Sequence, residues 1–368
     1  MKGSVIEAGF KWGTTLGNIS NTTPATISGT SFSASLSGLS AGTTYYYQAY
    51  VKVQGTGDKS PTVQTLYSTT TGSFTTLSAV RSWLANYEMP ATDATALSSA
   101  NISYSGNYCN STFAEKYGST KACRYDCTNA NRKVVTHTYS YNGKVVRNFS
   151  FLYDKDKKAA LWVAYATSNS GDFKDNNVGR DDAWEYDPAI AQSWQPNLSS
   201  SYSSAGGLSF DRGHQVASND RQTTLEQNKQ TFYYTNMTPQ FGSLNQGQWA
   251  TLENKVQGVA TVTTGRDTLY VVTGPLFEGT LSSTKDNDGA ACTLPTGYWK
   301  CLMKCSFDSS GKMTAAVGCA YLFDTNSTNE PPTVVTIDAI ESRTGFDFYT
   351  NVPESLQTAA EMQKYEFF

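Results

Sequence analysis

Histidine, charged residues and long apolar runs are scarce in this chain of 368 residues. Its two histidines, His137 and His214, cannot form a zinc site of the two- or three-histidine type without help from cysteine or carboxylate ligands. Charged residues make up only 16% of the sequence. No apolar run approaches the roughly 18 residues of a membrane span. The net charge of −3 does not indicate a generally basic surface, so any site for an anionic polymer must be local.

The seven cysteines include no Cys-x-x-Cys pair, which argues against a zinc ribbon or a thioredoxin-type motif. Their spacings favour disulfides in an oxidising compartment. Cys123 and Cys127 are close enough to close a small loop. Cys301 and Cys319 flank a predicted hairpin and face each other if its turn is centred on Ser310. The full pairing stays open, and an odd count leaves one thiol over.

The length predicts two domains, and residues 1–77 have the alternating pattern of half-buried strands. The segment 36–50 resembles the corner before the F strand of a fibronectin type III sandwich, and residues 9–13 resemble its aromatic strand. We therefore expect a small all-β sandwich-like domain, and some other β-sandwich is the alternative. About 75 residues is short for that module, so we expect it to be truncated.

Residues 78–130 are polar and carry three of the cysteines, and we interpret them as a connector with a disulfide-pinned loop. From residue 131 to 368 the pattern changes. Two strands surround an Asn-Gly turn at 142–143, and further strands follow at 159–165, 268–277 and 299–307. Residues 245–259 predict a helix, with Trp249, Leu252 and Val256 at helical spacing. This pattern indicates an α+β domain, a central antiparallel sheet with packed helices.

The most informative motifs lie between residues 211 and 253. They are Asp-Arg-Gly-His at 211–214, Thr-Asn-Met-Thr-Pro-Gln at 235–240 and Leu-Asn-Gln-Gly-Gln-Trp at 244–249, followed by Glu253. In this order and spacing they resemble the signature of the DNA/RNA non-specific endonucleases, the ββα-metal nucleases of the Serratia type. The resemblance extends over roughly residues 130 to 355.

The resemblance implies an enzyme that hydrolyses DNA and RNA phosphodiester bonds and leaves 5′-phosphate and 3′-hydroxyl ends. It also implies a Mg²⁺ cofactor, for which Mn²⁺ can substitute. His214 matches the general base, and a pKa near neutrality suits that role. Asn245 matches the direct protein ligand of the metal, a neutral oxygen donor that suits a hydrated hard cation. Glu253 matches the acid that orients metal-bound water.

Three further residues complete the predicted site. Arg212 lies two residues before His214, so in a strand the two side chains face the same side and can reach one phosphate. Arg180 matches the family's other phosphate-facing arginine, in a more variable loop. Asn236 matches an asparagine that hydrogen-bonds within the site and holds the metal loop. We expect Asp211 to orient backbone or a neighbouring arginine.

Several of these residues have a commoner structural interpretation. Asn245 opens the predicted helix, where asparagine is usually an N-cap. On a regular helix Glu253 lies about 12 Å along the axis from Asn245, so its role rests on the resemblance alone. A glutamate on a helix face is usually solvated, and Arg180 can be an ordinary surface arginine. His137 has no motif around it, and we interpret it as structural.

Two other function classes compete with the nuclease. A Ser-His-Asp hydrolase requires an activated serine, and the sequence has no Gly-x-Ser-x-Gly elbow. A catalytically decayed nuclease fold could instead serve as a surface binding or adhesion protein, but the intact motifs argue against decay. We expect DNA and RNA as substrates, bound through the phosphate backbone, and a spacer or a surface-partner contact in the N-terminal module. Composition and resemblance together indicate a secreted, cell-surface or periplasmic bacterial protein.

Overall fold

The computed structural model describes residues 3–36, 39, 43–55, 62–75, 87–88, 105–106, 131–141, 144–169, 173, 178–263 and 267–368. The chain divides into two compact units, Met1–Ser82 and Trp83–Phe368. Most of the predicted connector at 78–130 lies outside the described residues, and with it Cys123 and Cys127. No helix of the described chain is both long and apolar enough to cross a membrane.

The first unit is built from antiparallel strands. A five-stranded sheet has the order β2-β1-β5-β6, with β7 also paired to β5, and β3 and β4 form a separate hairpin. The strands are β1 Gly3–Gly13, β2 Asn21–Pro24, β3 Thr26–Ser28, β4 Ser31–Ser33, β5 Thr44–Gly55, β6 Val63–Tyr67 and β7 Gly72–Thr75.

Aromatic side chains cover one face of this sheet. Tyr45 of β5 packs against Trp12 of β1 and stacks on Phe74 of β7, while Phe10 of β1 contacts Phe32 of the hairpin. The alternating pattern of residues 1–77 predicted half-buried strands, and the aromatic contacts show one face of these strands packed. The fibronectin type III resemblance stays a prediction.

The second unit is organised around an eight-stranded antiparallel sheet in the order β19-β18-β17-β14-β11-β10-β9-β8. Two short ribbons, β12-β13 and β15-β16, lie outside it. The strands are β8 Ser105–Gly106, β9 Arg132–Tyr141, β10 Lys144–Asp154, β11 Ala159–Thr167, β12 Phe210–His214, β13 Met237–Phe241, β14 Thr268–Leu276, β15 Ser283–Lys285, β16 Ala291–Thr293, β17 Gly297–Phe307, β18 Met313–Phe323 and β19 Thr333–Val335.

Helices cover both faces of the large sheet. They are α1 Leu225–Gln230, α2 Gly242–Leu244, a π-helical turn Asn245–Trp249, α3 Ala250–Val262, α4 Ile337–Thr344 and α5 Glu354–Glu361. Leu252 and Val256 of α3 share a buried apolar cluster with Val163 of β11. Ile340 of α4 and Ala360 of α5 belong to the cluster on the opposite face. The α+β class with a central antiparallel sheet is confirmed.

Two residues of the predicted connector, Tyr87 and Glu88, belong to the second unit. The ring of Tyr87 packs against those of Tyr270 and Phe307. Glu88 is fully buried and pairs with the buried Arg147 of β10. Packing of the second unit therefore begins before residue 131, because these two residues supply a ring and a counter-charge to its interior.

The predicted contact between Cys301 and Cys319 is wrong. The hairpin of β17 and β18 pairs Cys301 with Ala320 and Leu302 with Cys319, and its register shifts between Ser306 and Phe307. A one-residue difference in register turns a side chain to the other face of a sheet. The two thiols accordingly lie in different apolar clusters. Among the described residues the structure has no disulfide, and four buried cysteines are free: Cys292, Cys301, Cys305 and Cys319.

Candidate active site

The ribbon of β12 and β13 carries the Asp-Arg-Gly-His motif. Arg212 pairs with Pro239, Gly213 with Thr238 and His214 with Met237. A Cβ atom at Gly213 would lie 2.5 Å from the Cβ of Gln240, so a larger residue would push the two strands apart. The glycine therefore lets the ribbon close while the residues on either side of it project their side chains.

A cleft of about 320 Å³ lies beside this ribbon. It brings together five of the six site residues predicted from the sequence, and Asn236 is the exception. The residues that line the cleft are Arg180, Trp184, Ser201, Asp211, Arg212, His214, Ala217, Ser218, Asn219, Asn245 and Glu253. Side chains more than 70 positions apart in the sequence thus share one solvent-reaching site.

His214 is half-buried between two aromatic rings. The ring centroids of Trp184 and Phe232 each lie 5.3 Å from that of the imidazole. Burial, together with the positive charges of Arg180 and Arg212, lowers the pKa of His214 to about 3. Its buried Nε2 has no hydrogen-bond partner among the described residues. The imidazole is therefore neutral at neutral pH, and its pKa is well below the near-neutral value expected from the sequence.

Arg212 is held by an aromatic face and by backbone oxygens. Its guanidinium carbon lies 3.6 Å from the centroid of the Trp184 ring. Its Nη1 donates to the carbonyl of Leu198 at 3.0 Å. Such a cation–π stack fixes the plane of the guanidinium while other N–H groups stay available to an anion.

Arg180 approaches the cleft from the loop before β12. Its Nε donates to Asp182 at 2.8 Å and its Nη1 to the hydroxyl of Ser218 at 3.3 Å. The guanidinium also lies 4.7 Å from the ring centroid of Phe232. About half of the Arg180 side chain is exposed, at 49%, so its pair with Asp182 is weak enough for a phosphate to compete.

Asn245 is not a helix N-cap, because the helical path begins earlier, at Gly242, and its own φ and ψ of −56° and −49° are helical. Its Nδ2 donates to the carboxylate of Asp211 at 2.9 Å. The same carboxylate oxygen accepts a bond from Gln246 at 2.8 Å. Asp211 therefore orients the amides of Asn245 and Gln246 rather than backbone or an arginine, and the amide oxygen of Asn245 is the atom left for a cation.

Glu253 lines the cleft one helical segment after Asn245. The indole N–H of the buried Trp249 donates to its Oε1 at 3.0 Å. Burial raises the pKa of Glu253 to about 7, and the charge of Lys300 opposes this rise. The π-helical turn at Asn245–Trp249 alters the rotation per residue between the two side chains. The regular-helix geometry used on the sequence alone therefore does not apply to this pair.

Asn236 is buried behind the cleft rather than in it. Its Oδ1 accepts a bond from the backbone N–H of Val216 at 3.0 Å. Its Nδ2 donates to the carbonyls of Val216 and Thr231. These bonds fix the chain that follows His214, so Asn236 supports the histidine side of the site.

His137 lies in the interior, as its lack of a motif indicated. Its Nε2 is 2.8 Å from the carboxylate of the buried Asp187, and its ring contacts Phe149 and Tyr233.

The donor set in the cleft fits a hard divalent cation. Its oxygen donors include the amides of Asn219 and Asn245 and the carboxylates of Asp211 and Glu253, and oxygen is the ligand atom that Mg²⁺ and Mn²⁺ prefer. The bond from Asn245 to Asp211 fixes which end of the amide faces a ligand. Nothing in this set favours a soft metal, because no cysteine of the described residues lines the cleft.

Two residues with close contacts in the site were not singled out from the sequence. Trp184 lies four residues after Arg180 in the sequence. A single tryptophan in a loop does not indicate that its ring will stack on Arg212. Lys300 lies in β17 and is buried beneath the cleft. The sequence of this strand does not indicate that the lysine side chain points into the protein interior. Both become apparent only when distant segments are brought together.

The chain is similar in sequence to known nucleases. The model of the DNA/RNA non-specific endonuclease family matches residues 128–355. A nuclease from Nostoc sp. is 32% identical over 228 residues, which cover 60% of this chain and 78% of that protein. A nuclease from Serratia marcescens is 30% identical over 259 residues, or 67% of this chain and 86% of that protein. Bovine mitochondrial endonuclease G is 32% identical over 130 residues, or 35% of this chain and 41% of that protein.

The matched range contains the ribbon, the cleft and α3. The chain therefore belongs to the DNA/RNA non-specific endonucleases, a metal-dependent family, and is an enzyme that hydrolyses nucleic acids.

Proposed function

We propose that this protein is a Mg²⁺-dependent, sugar-non-specific endonuclease that cleaves DNA and RNA to 5′-phosphate and 3′-hydroxyl ends, with His214 as general base. The observation that carries the proposal is the shared cleft. A neutral imidazole, two guanidinium groups and a fixed amide oxygen all line it. Hydrolysis of a phosphodiester requires these groups together, because the anionic phosphate repels hydroxide and the alkoxide is a poor leaving group.

His214 supplies the base. Its lowered pKa keeps the imidazole neutral at neutral pH, and the unprotonated ring nitrogen of a neutral imidazole can take a proton from a water molecule in the cleft. The resulting hydroxide attacks phosphorus in line with the 3′-oxygen, which leaves the phosphate on the 5′ end. The backbone bonds of Asn236 keep the segment after His214 in place.

Arg212 and Arg180 contact the scissile phosphate. The stack on Trp184 presents the guanidinium of Arg212 in one orientation, which suits two-point contact with phosphate oxygens. Negative charge that develops on these oxygens is stabilised by both arginines. Because both groups read phosphate rather than base edges, we expect little sequence preference and a rate that falls as salt rises.

The amide oxygen of Asn245 would hold the cation directly, and Glu253 would hold water molecules around it. A Mg²⁺ or Mn²⁺ ion bound there would supply positive charge for the leaving 3′-oxygen. Asp211 keeps the Asn245 amide in the orientation that binding requires. A single neutral protein ligand predicts weak binding of the ion in the absence of nucleic acid.

The intact cleft also bears on the alternative of a decayed surface-binding protein. Loss of catalysis would relax the need for the buried supports at Asn236 and Trp249, yet both make full sets of contacts. We propose an extracytoplasmic location, supported by the low charge content of 16%. A spacer or surface-partner role for the first unit is likewise a proposal. Fractionation of cells of the native host tests the location.

Plasmid nicking tests the proposed activity. We expect nicking of plasmid and degradation of RNA in Mg²⁺, loss of both in EDTA, and products that accept label from a kinase only after phosphatase treatment. Asn245→Ala should abolish activity or raise the Mg²⁺ requirement, whereas Asn254→Ala, an exposed change on α3, should not. Equal nicking in EDTA, or an unchanged metal requirement in Asn245→Ala, would reject the proposal.

A further inference from the structure

A lysine is buried beneath the active-site cleft. Lys300 lies within β17 and is 1% exposed. Its Nζ donates to the backbone carbonyl of Gln215 at 3.4 Å, and Gln215 directly follows His214. The same ammonium lies 4.7 Å from the ring centroid of Trp249, the residue whose indole N–H holds Glu253. One side chain thus contacts supports of both halves of the site.

Burial of an ammonium group is costly unless neighbouring groups compensate its charge. Two carboxylates act on Lys300, those of Glu253 and Asp220. Glu253 accepts the bond from Trp249, and the buried Asp220 accepts one from the hydroxyl of Tyr165 at 3.0 Å. The rings of Tyr165 and Trp249 flank the ammonium. These two residues donate the hydrogen bonds to Asp220 and Glu253, so the ammonium, the rings and the carboxylates form one network.

Lys300 cannot act on the substrate itself. It does not line the cleft, and its burial keeps it from solvent and from a phosphate. Among the described residues, its contacts lead to the site through Gln215 on the histidine side and through Trp249, which holds Glu253, on the metal side. Any effect on the reaction must therefore pass through those residues.

We propose that Lys300 is a positioning residue, which fixes the backbone after His214 and the Trp249–Glu253 pair relative to each other. The proposal rests on the nuclease activity proposed above. A role confined to fold stability is the rival, and it predicts a lower melting temperature without a specific change in catalysis.

Replacement of Lys300 by methionine removes the charge and keeps a long apolar side chain in the space. We expect Lys300→Met to lower kcat about 10- to 100-fold, as loss of a supporting residue around a metal site does, with little change in KM. Lys304→Met is the matched control, since Lys304 lies on the same strand and pairs with Asp267 at 3.8 Å, away from the cleft. It should keep wild-type kcat.

The NMR signal of the Trp249 indole N–H gives a second readout. The Lys300 ammonium lies 4.7 Å from the centroid of the Trp249 ring, and the indole N–H donates to Glu253. Loss of the ammonium should therefore shift this signal in Lys300→Met and leave it in place in Lys304→Met. The NMR shift needs no activity, so it tests Lys300 even if the proposed reaction is wrong.

Two outcomes would overturn the positioning role. One is a folded Lys300→Met that keeps full kcat and an unshifted Trp249 signal. The other is a fall in kcat that Lys304→Met matches. If Lys300→Met does not fold, the double variant Lys300→Met/Glu253→Gln, which removes both buried charges, replaces it. Because the bond from Lys300 to the Gln215 carbonyl is lost as well, its kcat should be lower than that of Glu253→Gln alone, and an equal kcat would reject the role of Lys300 on the histidine side.

Discussion

The side-chain amide of Asn245 donates a hydrogen bond to the carboxylate of Asp211 at 2.9 Å. This bond joins the strand that carries His214, the proposed general base, to the helical segment that carries Asn245, the proposed metal ligand. An amide can rotate to present either nitrogen or oxygen, and only oxygen binds a cation. Asp211 therefore selects the productive orientation of Asn245 without having to bind the cation itself.

Asp211→Ala should weaken metal use. Without the carboxylate, the Asn245 amide is free to rotate, and we expect the Mg²⁺ concentration for half-maximal activity to rise about tenfold or more. A titration of plasmid cleavage with Mg²⁺ measures this. Gln246→Ala is the control, because it removes the other bond to the same carboxylate oxygen and leaves the Asn245 contact in place. An equal effect of both variants would show that Asp211 does not act through Asn245.

The acid limb of the pH profile should belong to Glu253 rather than to His214. Both groups work unprotonated, so activity falls as pH drops through whichever pKa is higher. Burial raises the pKa of Glu253 to about 7 and lowers that of His214 to about 3. Glu253→Gln should therefore shift the acid limb of the residual kcat/KM to lower pH. If the limb stays in place in this variant, the histidine or another group controls it.

Trp184 should matter to catalysis through Arg212. Its ring face covers the guanidinium at 3.6 Å, and loss of a cation–π contact costs about 0.5–2 kcal/mol. Trp184→Ala should lower kcat/KM by roughly 2- to 30-fold, whereas Trp184→Phe, which retains a ring face, should lose less. Steady-state kinetics on a short labelled duplex measure both. Wild-type kcat/KM in Trp184→Ala would show that the stack contributes nothing to the reaction.

The strands and the cleft residues were predictable because their signals are local or ordered. Alternation predicted strands in the first unit, and the Asn-Gly turn and apolar runs predicted strands in the second. Helical spacing predicted the buried face of α3, with Trp249, Leu252 and Val256 in the core. The ordered motifs predicted which side chains would meet. Each of these patterns is carried by neighbouring residues or by a fixed order along the chain.

Other features depend on relations that no short segment records. The register shift between Ser306 and Phe307 separates Cys301 from Cys319, and a count of residues from the turn could not detect it. The π-helical turn changes how Asn245 and Glu253 are related. The Lys300 side chain meets Trp249 and the charge of Glu253 only when the helical segment packs on the sheet. These are tertiary effects, which local periodicity does not encode.

Gly213→Ala tests why the motif contains a glycine. The added Cβ would lie 2.5 Å from the Cβ of Gln240 across the ribbon, and such overpacking costs about 1–3 kcal/mol. We expect a lower free energy of unfolding in urea, together with lost activity because His214 moves with the strand. Gly258→Ala is the matched control, since this helical glycine has open space around it and alanine there should stabilise the protein by roughly 0.4–1 kcal/mol.

A double-mutant cycle assigns the cost to the predicted contact. Gln240→Gly removes the Cβ that Gly213→Ala would meet, so the alanine should destabilise the Gln240→Gly background by less than it destabilises the wild type. Contacting residues in such cycles typically show coupling of about 0.5–3 kcal/mol. Equal destabilisation in the two backgrounds would mean that the glycine is needed for another reason, such as access of a phosphate to the neighbouring Arg212 and His214.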